Sequence, residues 1–246
     1  MKNGNAASAE HERACARVAA RFSELWLRLY AGRKLRSDPV FPAAFALLQH
    51  SHEALIDVGC GVGLLGFYLR ERNFQPPIVG VDRDGRKIAR AQAVARGGYR
   101  DLEFLEQDAS EQIERRGNLA LFDVLHYLQP NDQARLLERL IPRISPGGML
   151  VIRDCPRDGN ARFWLTYLSE RFAQCIAWNV SAPLHFPTRD AICSPFSPNE
   201  FSGTIKPLWG RTPFNNHLFI FRRRADATAP APAARSDNPP ARAPSA

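Results

Sequence analysis

The stretch Leu55–Leu64, reading LIDVGCGVGL, constrains this chain more than any other. An apolar run of strand length ends in an aspartate-containing dipeptide. Three glycines then alternate with other residues before a second apolar run of helical spacing opens. A buried strand that turns at once into a helix needs backbone free to take positive φ, and glycine takes it without steric cost. The helix that follows begins with unpaired N–H groups facing the turn. In an open α/β sheet such a turn lies at the carboxyl ends of the strands, where ligands bind. The surrounding pattern agrees with that architecture. Strands over 54–58, 78–81, 102–105, 119–125 and 149–153 alternate with helices over 64–72, 85–96 and 131–143. That alternation predicts a parallel sheet with helices on both faces. Two further strands, near 204–208 and 217–221, are joined by a short loop and so predict an antiparallel pair.

Three segments flank this pattern. Residues 8–31 have helical spacing, with Val18, Phe22, Leu25, Trp26 and Leu29 on one apolar stripe and Arg13, Arg17, Arg21 and Arg28 beside it. A second short helix is expected over 41–49, and another over 163–178. The last 22 residues, Ala225–Ala246, contain nine alanines, five prolines and no large apolar side chain, so they have nothing to bury against the entropy of ordering. The expected organisation is a helical cap over 1–50, a ligand-binding α/β domain over 51–224 and a disordered tail over 225–246. At 246 residues, 45% of them hydrophobic, one α/β domain with a large core is a sufficient account. No run of about 18 apolar residues exists to span a membrane. The N-terminus lacks the apolar region of a secretory signal, and the five scattered cysteines form no CxxC pair, which together suggest a cytoplasmic protein with free thiols and no metal. The net charge of +8 is concentrated in residues 11–36, where seven arginines and lysines face two glutamates. A nucleic acid, an acidic protein, an anionic membrane surface or a solvated helix face are each compatible with it.

Acids end three successive strands. Asp57 stands two residues before Gly59 and suits an ammonium group. Asp82 suits the two hydroxyls of a ribose. Asp108 suits an adenine amino group. Taken together these describe S-adenosylmethionine. Gly61, Gly63 and Gly66 also satisfy the dinucleotide fingerprint, which keeps an NAD-dependent oxidoreductase as the rival reading. With the turn Ser145–Leu150 and the strand end Leu121–Tyr127, the ordered motifs resemble the class I S-adenosylmethionine-dependent methyltransferases over roughly residues 50–155. The resemblance implies a Rossmann-like, seven-stranded, mostly parallel sheet whose last strand is antiparallel. It also implies that Gly59, Gly61 and Gly63 line the methionine end of the cofactor. Cys60, Leu64, Arg83 and Ala109 fall beside these positions and Asp123 ends the fourth strand, so all are expected to contact it. LRSDPVF at 35–41, LHYL at 125–128 and TPFNN at 212–216 resemble, more narrowly, methyltransferases of bacterial aryl-polyene (xanthomonadin-type) pigment clusters. That implies an aromatic or polyene acid as acceptor, either free or presented on an acyl carrier protein for which the basic helix would be the docking face.

Methyl transfer is a displacement in which the protein mainly aligns two groups, and a phenolic acceptor must also lose a proton. His126, after the fourth strand, is the first candidate for base or positioner. Asp154, ending the fifth, is a candidate to hold either the acceptor or the base. The aromatic residues between 160 and 216, among them Phe163, Trp164, Tyr167, Trp178 and Phe186, suit either a pocket for an aromatic substrate or a core. An RNA or DNA methyltransferase is the second enzyme reading. Against it, DVLH at 123–126 lacks the D/N-P-P-Y of many amino-methylating enzymes, so nucleic acid is not the expected partner. A catalytically inactive binding module is disfavoured by the intact glycine turn and its three acids. Removing residues 225–246 is expected to leave the thermal midpoint and cofactor affinity unchanged; a clear fall in Tm on truncation would show that the tail docks.

Overall fold

The structure, a computed structural model, describes residues 2–109, 114–175, 183–210 and 212–226. Seven strands, β1 (Leu55–Val58), β2 (Ile78–Asp82), β3 (Leu102–Glu106), β4 (Asn118–Phe122), β5 (Met149–Asp154), β6 (Phe201–Pro207) and β7 (His217–Arg223), form one sheet. Their order is β3-β2-β1-β4-β5-β7-β6. The pairs among β1 to β5 are parallel, and β7 runs antiparallel to both neighbours. The mostly parallel sheet and its antiparallel last strand are therefore as the sequence predicts. Around it lie α1 (Lys2–Arg21), α2 (Leu25–Ser37), α3 (Val40–Leu48), α4 (Leu64–Glu71), α5 (Gly85–Arg96), α6 (Pro130–Leu140), α7 (Ala161–Cys175) and α8 (Arg189–Cys193).

Strand residues alternate between two cores because successive side chains point to opposite faces. Leu55, Val151 and Ile220 join the core under α1 to α5, with Phe67, Tyr68 and Phe104. Ile56, Ile152 and Phe219 join the core under α6 and α8, with Leu136, Leu140 and Ile192. Every residue of β1 and β5 is buried, which is why both read as unbroken apolar runs apart from their terminal polar groups.

Two boundaries differ from expectation for identifiable reasons. The fourth strand stops at Phe122, because Asp123 takes φ +57° and a tight 3-10 turn follows over Leu125–Tyr127. The single helix expected over 8–31 is two. The chain breaks at Phe22, whose carbonyl accepts from Arg28 Nε and Nη2 at 3.3 and 3.2 Å and whose ring meets Phe67 edge-on. The break resets the helical phase. Leu25, Trp26 and Leu29, expected to be buried, face solvent, whereas Leu27, Ala31 and Leu35 are covered. α8 was not foreseen. It is a single turn capped by Thr188, whose hydroxyl accepts from the Ala191 N–H at 3.1 Å. Trp178 and most of the tail lie outside the described residues.

The cap helices pack on α4 through a bond between His11 Nδ1 and the Tyr68 hydroxyl (2.8 Å) and an ion pair from Arg17 to Glu71. A second attachment is buried. Arg153, near the end of β5 and 3% exposed, pairs with Asp38 beyond α2 at 2.9 Å and with Asp123 beyond β4. Lys34 also reaches Asp38, at 2.9 Å, and the Val40 N–H donates to it at 3.0 Å. Burial alone would raise the Asp38 pKa; Arg153 and Lys34 outweigh it and hold the carboxyl well below the usual range. Replacing Asp38 by Asn leaves the buried guanidinium short of one counter-charge, and such losses run to about 3 kcal/mol or more. Because the folded pKa of Asp38 lies below the unfolded one, the gap between wild type and Asp38→Asn in urea unfolding is full above the ordinary aspartate range and shrinks as pH falls below about 4. A gap that did not change with pH would remove the charge from this account.

Candidate functional site

A cleft of about 410 Å³ opens at the carboxyl ends of β1 to β4. Its floor is the glycine turn, its roof is Tyr30 and Lys34 of α2 with Val40 and Phe41 of α3, and Glu170 of α7 stands at its side. The three glycines have separate reasons to be there. A Cβ on Gly59 (φ +76°) would sit 2.3 Å from Val124 Cγ2, and one on Gly63 (φ +80°) 2.4 Å from the Phe104 ring. Gly61 (φ +57°) would meet nothing within 4 Å, so its left-handed backbone faces open space. Gly59, Cys60, Gly61 and Leu64 line the cleft; Gly63 lies beneath it at the start of α4.

The strand-end acids converge on this turn. Asp82 accepts the Gly61 N–H at 2.8 Å on one carboxylate oxygen and the Asp84 N–H at 2.9 Å on the other. Each oxygen keeps a lone pair for a ligand. Asp57 is 4% exposed, and no hydrogen bond to its carboxylate is found among the described residues. Burial, with the nearby charge of Asp82, pushes its pKa up to about 7. A carboxylate in that condition favours a cation, and the cleft leaves room for one. Arg83, Asp108 and Ala109 line the same cleft. Asp123 lines it too, but its charge is already engaged by Arg153.

His126 and Asp154 are placed differently. His126 Nδ1 lies 2.9 Å from Asp154 Oδ1, and the two residues are 2% and 0% exposed. Both sit behind the cleft wall, with the imidazole stacked on Phe186 at 5.1 Å. Burial would lower the His126 pKa, yet Asp154, helped by Glu170 and Asp123, raises it to about 9. The direction of that shift favours the imidazolium, held against the Asp154 carboxylate. The wall in front of it is Tyr127, whose hydroxyl donates to Glu170 Oε2 at 2.7 Å. Sequence reasoning passed over Glu170, because nothing in its helical context distinguishes it from a solvated helix face. The aromatic residues that the sequence left open between a pocket and a core do not line the cleft where they are described. Phe163 and Phe186 make a small core with Cys155, Tyr167 packs against it, and Trp164 is 57% exposed. The aromatic groups of the cleft are Tyr30, Phe41, Phe122 and Tyr127.

Residues 49–180, more than half of the chain, match the family described as "Methyltransferase domain". The chain belongs to the methyltransferase domain family. A relative in Aspergillus campestris, Methyltransferase ungE', is 30% identical over 49% of this chain and 37% of its own length. The chain thus spans less than half the length of the first curated relatives it matches. In fold, this methyltransferase domain is similar to the pyocyanin biosynthetic protein PhzM, with TM-score 0.62, 16% identity, and 83% of this chain and 60% of that chain covered. It is similar also to magnesium protoporphyrin IX methyltransferase from Synechocystis PCC 6803 with bound SAH, with TM-score 0.59, 18% identity, and 81% and 88% covered.

The buried Asp57 carries a stability cost in the ligand-free domain. Its folded pKa is above its unfolded one, so its contribution is full below about pH 4 and is lost as pH rises through about 7. Asp57→Asn should therefore stabilise the ligand-free protein at pH 8, by one to a few kcal/mol on the order set by linkage, and change little at pH 4. Destabilisation at pH 8 would mean that the carboxylate has a favourable protein partner after all.

Proposed function

We propose that this chain is an S-adenosylmethionine-dependent methyltransferase of a small aromatic acid. The observation that carries the cofactor assignment is the pairing of Asp57, buried without a cation, with a Gly61 backbone open to the cleft and an Asp82 carboxylate that keeps an acceptor on each oxygen. In this reading Asp57 holds the ammonium group, Asp82 the ribose hydroxyls and Asp108 the adenine amino group. Gly59, Gly61 and Gly63 form the bed of the methionine end; Cys60, Leu64, Arg83 and Ala109 complete the walls. When bound, the cofactor supplies a methyl group on a sulfonium, an electrophile that needs no metal. The chain's own part is to bind, align and exclude water.

An aromatic acceptor is supported by the ring-bearing side of the cleft, where Tyr30, Phe41 and Tyr127 stand with Val124 and Leu128. The link to pigment biosynthesis rests on the three motif resemblances. Their residues meet around the end of β5: Asp38 on Arg153, His126 on Asp154, and Asn215 on the Pro156 carbonyl at 3.2 Å. Delivery by an acyl carrier protein has weaker support. Arg17 is engaged by Glu71 and Arg21 by the Gly97 carbonyl, which leaves less free charge on that face than the composition suggests.

Calorimetry with S-adenosylhomocysteine and with NAD tests the cofactor. Binding of the former is expected, weakened at least about tenfold in Asp82→Asn, as the loss of one charged acceptor implies. Tight binding of NAD with none of S-adenosylhomocysteine would overturn the reading. Transfer of a labelled methyl group from S-adenosylmethionine to 4-hydroxybenzoate, free or as a carrier-bound thioester, tests the acceptor class.

A further inference from the structure

Behind the cleft wall runs a line of four side chains that cofactor binding does not use. Asp154 bonds His126 Nδ1 at 2.9 Å. The other ring nitrogen, Nε2, is buried without a hydrogen-bond partner and lies 4.0 Å from Glu170 Oε2. The same Glu170 oxygen accepts from the Tyr127 hydroxyl at 2.7 Å. Glu170 is 25% exposed at its side chain and opens on the cleft beside Tyr127, Leu128 and Asp123. Among the described residues no lysine or arginine pairs with it, whereas Asp123 is engaged by Arg153. The line ends in one carboxylate that faces the ring-lined part of the cleft and has capacity left.

We propose that Glu170 is the carboxylate that meets the methyl acceptor and takes the proton of its phenolic hydroxyl, with Tyr127, His126 and Asp154 as the residues that position it. This rests on the methyltransferase reading above. His126 is 2% exposed, lies outside the cleft lining and has Nδ1 engaged by Asp154, so it does not meet the acceptor. Its ring, with the pKa raised by Asp154, instead draws the Glu170 carboxylate toward the wall, and Asp154 fixes which ring nitrogen points there. The balance closes with no further reactant. The acceptor O–H bond breaks, its electron pair stays on oxygen to form the new O–C bond, and the proton passes to Glu170 and then to water in the open cleft. The sulfur keeps the pair of the broken S–C bond.

Glu170→Gln preserves shape and removes the proton acceptor. Three measurements on the full chain test the proposal. S-adenosylhomocysteine should bind wild type and Glu170→Gln within about twofold of each other; absence of binding to both would overturn the parent reading, apart from this one. The protonation midpoint of His126, followed by NMR of its ring nitrogens, is expected near 9 in wild type and should fall in Glu170→Gln, because Glu170 is one of the charges facing it, with Asp154 and Asp123. Labelled methyl transfer to 4-hydroxybenzoate should fall about 100-fold or more in kcat, the range for a lost general base, with partial recovery in Glu170→Asp. An unmoved His126 midpoint, or transfer by Glu170→Gln at the wild-type rate, would overturn the role of Glu170. Wild-type protein that binds S-adenosylhomocysteine yet methylates no 4-hydroxybenzoate, free or carrier-bound, would overturn the phenolic acceptor.

Discussion

Adjacent residues at the end of β5, Arg153 and Asp154, hold the surroundings of the cleft together. Each is buried, each carries a charge, and each is answered by a partner from a different part of the chain. Arg153 joins the cap, through Asp38, to the tip of β4, through Asp123. Asp154 joins the turn after β4, through His126, to the wall that presents Tyr127 and Glu170. Buried charges are expensive to isolate and inexpensive to keep paired, so these contacts fix positions more than they add stability. The roof residues Tyr30, Lys34, Val40 and Phe41 are over the glycine turn because Asp38, between their helices, is tied to β5.

A second set of charges is left without that compensation. Asp57 is covered by the strands and by the turn it introduces, and its nearest charged neighbour of note, Asp82, is of the same sign. Folding the ligand-free domain carries this cost, and a cationic ligand removes it. The contrast between the two sites is informative. Asp38, Asp123 and Asp154, which tie elements together, each face a cationic side chain; Asp57, in the cleft, has no ion pair among the described residues, and its counter-ion is left to the ligand. The backbone follows the same division, with Gly59 and Gly63 closing against Val124 and Phe104 and Gly61 facing open space.

The sheet, its order of strands and helices and the strand-end acids were legible because each is local: short buried apolar runs alternating with helical spacing, glycine at a forced turn, an acid two residues from it. α5 lies where its apolar spacing places it. What was not legible depends on pairings distant in sequence. The break at Phe22 is stabilised by a guanidinium six residues on and a ring on α4, and it turned an expected core face of Leu25, Trp26 and Leu29 outward. His126 has the residue type and position of a base, but only the structure shows that it is buried and held by Asp154, 28 residues away, which raises its pKa. Glu170 is the converse, an unremarkable helix residue made notable by Tyr127, 43 residues earlier. The aromatic segment after residue 160 was read in two ways; Phe163 and Phe186 go to a core, while Trp164 faces solvent and neither kind lines the cleft.

The account stands on the claim that the cleft at the ends of β1 to β3 is built for S-adenosylmethionine. The most direct measurement is a crystal structure of the chain grown with S-adenosylhomocysteine. It should show the ribose hydroxyls on the Asp82 carboxylate, the amino group against Asp57 and the sulfur side of the ligand over Gly61, facing Tyr127 and Glu170. A ligand bound elsewhere, or bound here with Asp57 and Asp82 both uncontacted, would contradict it.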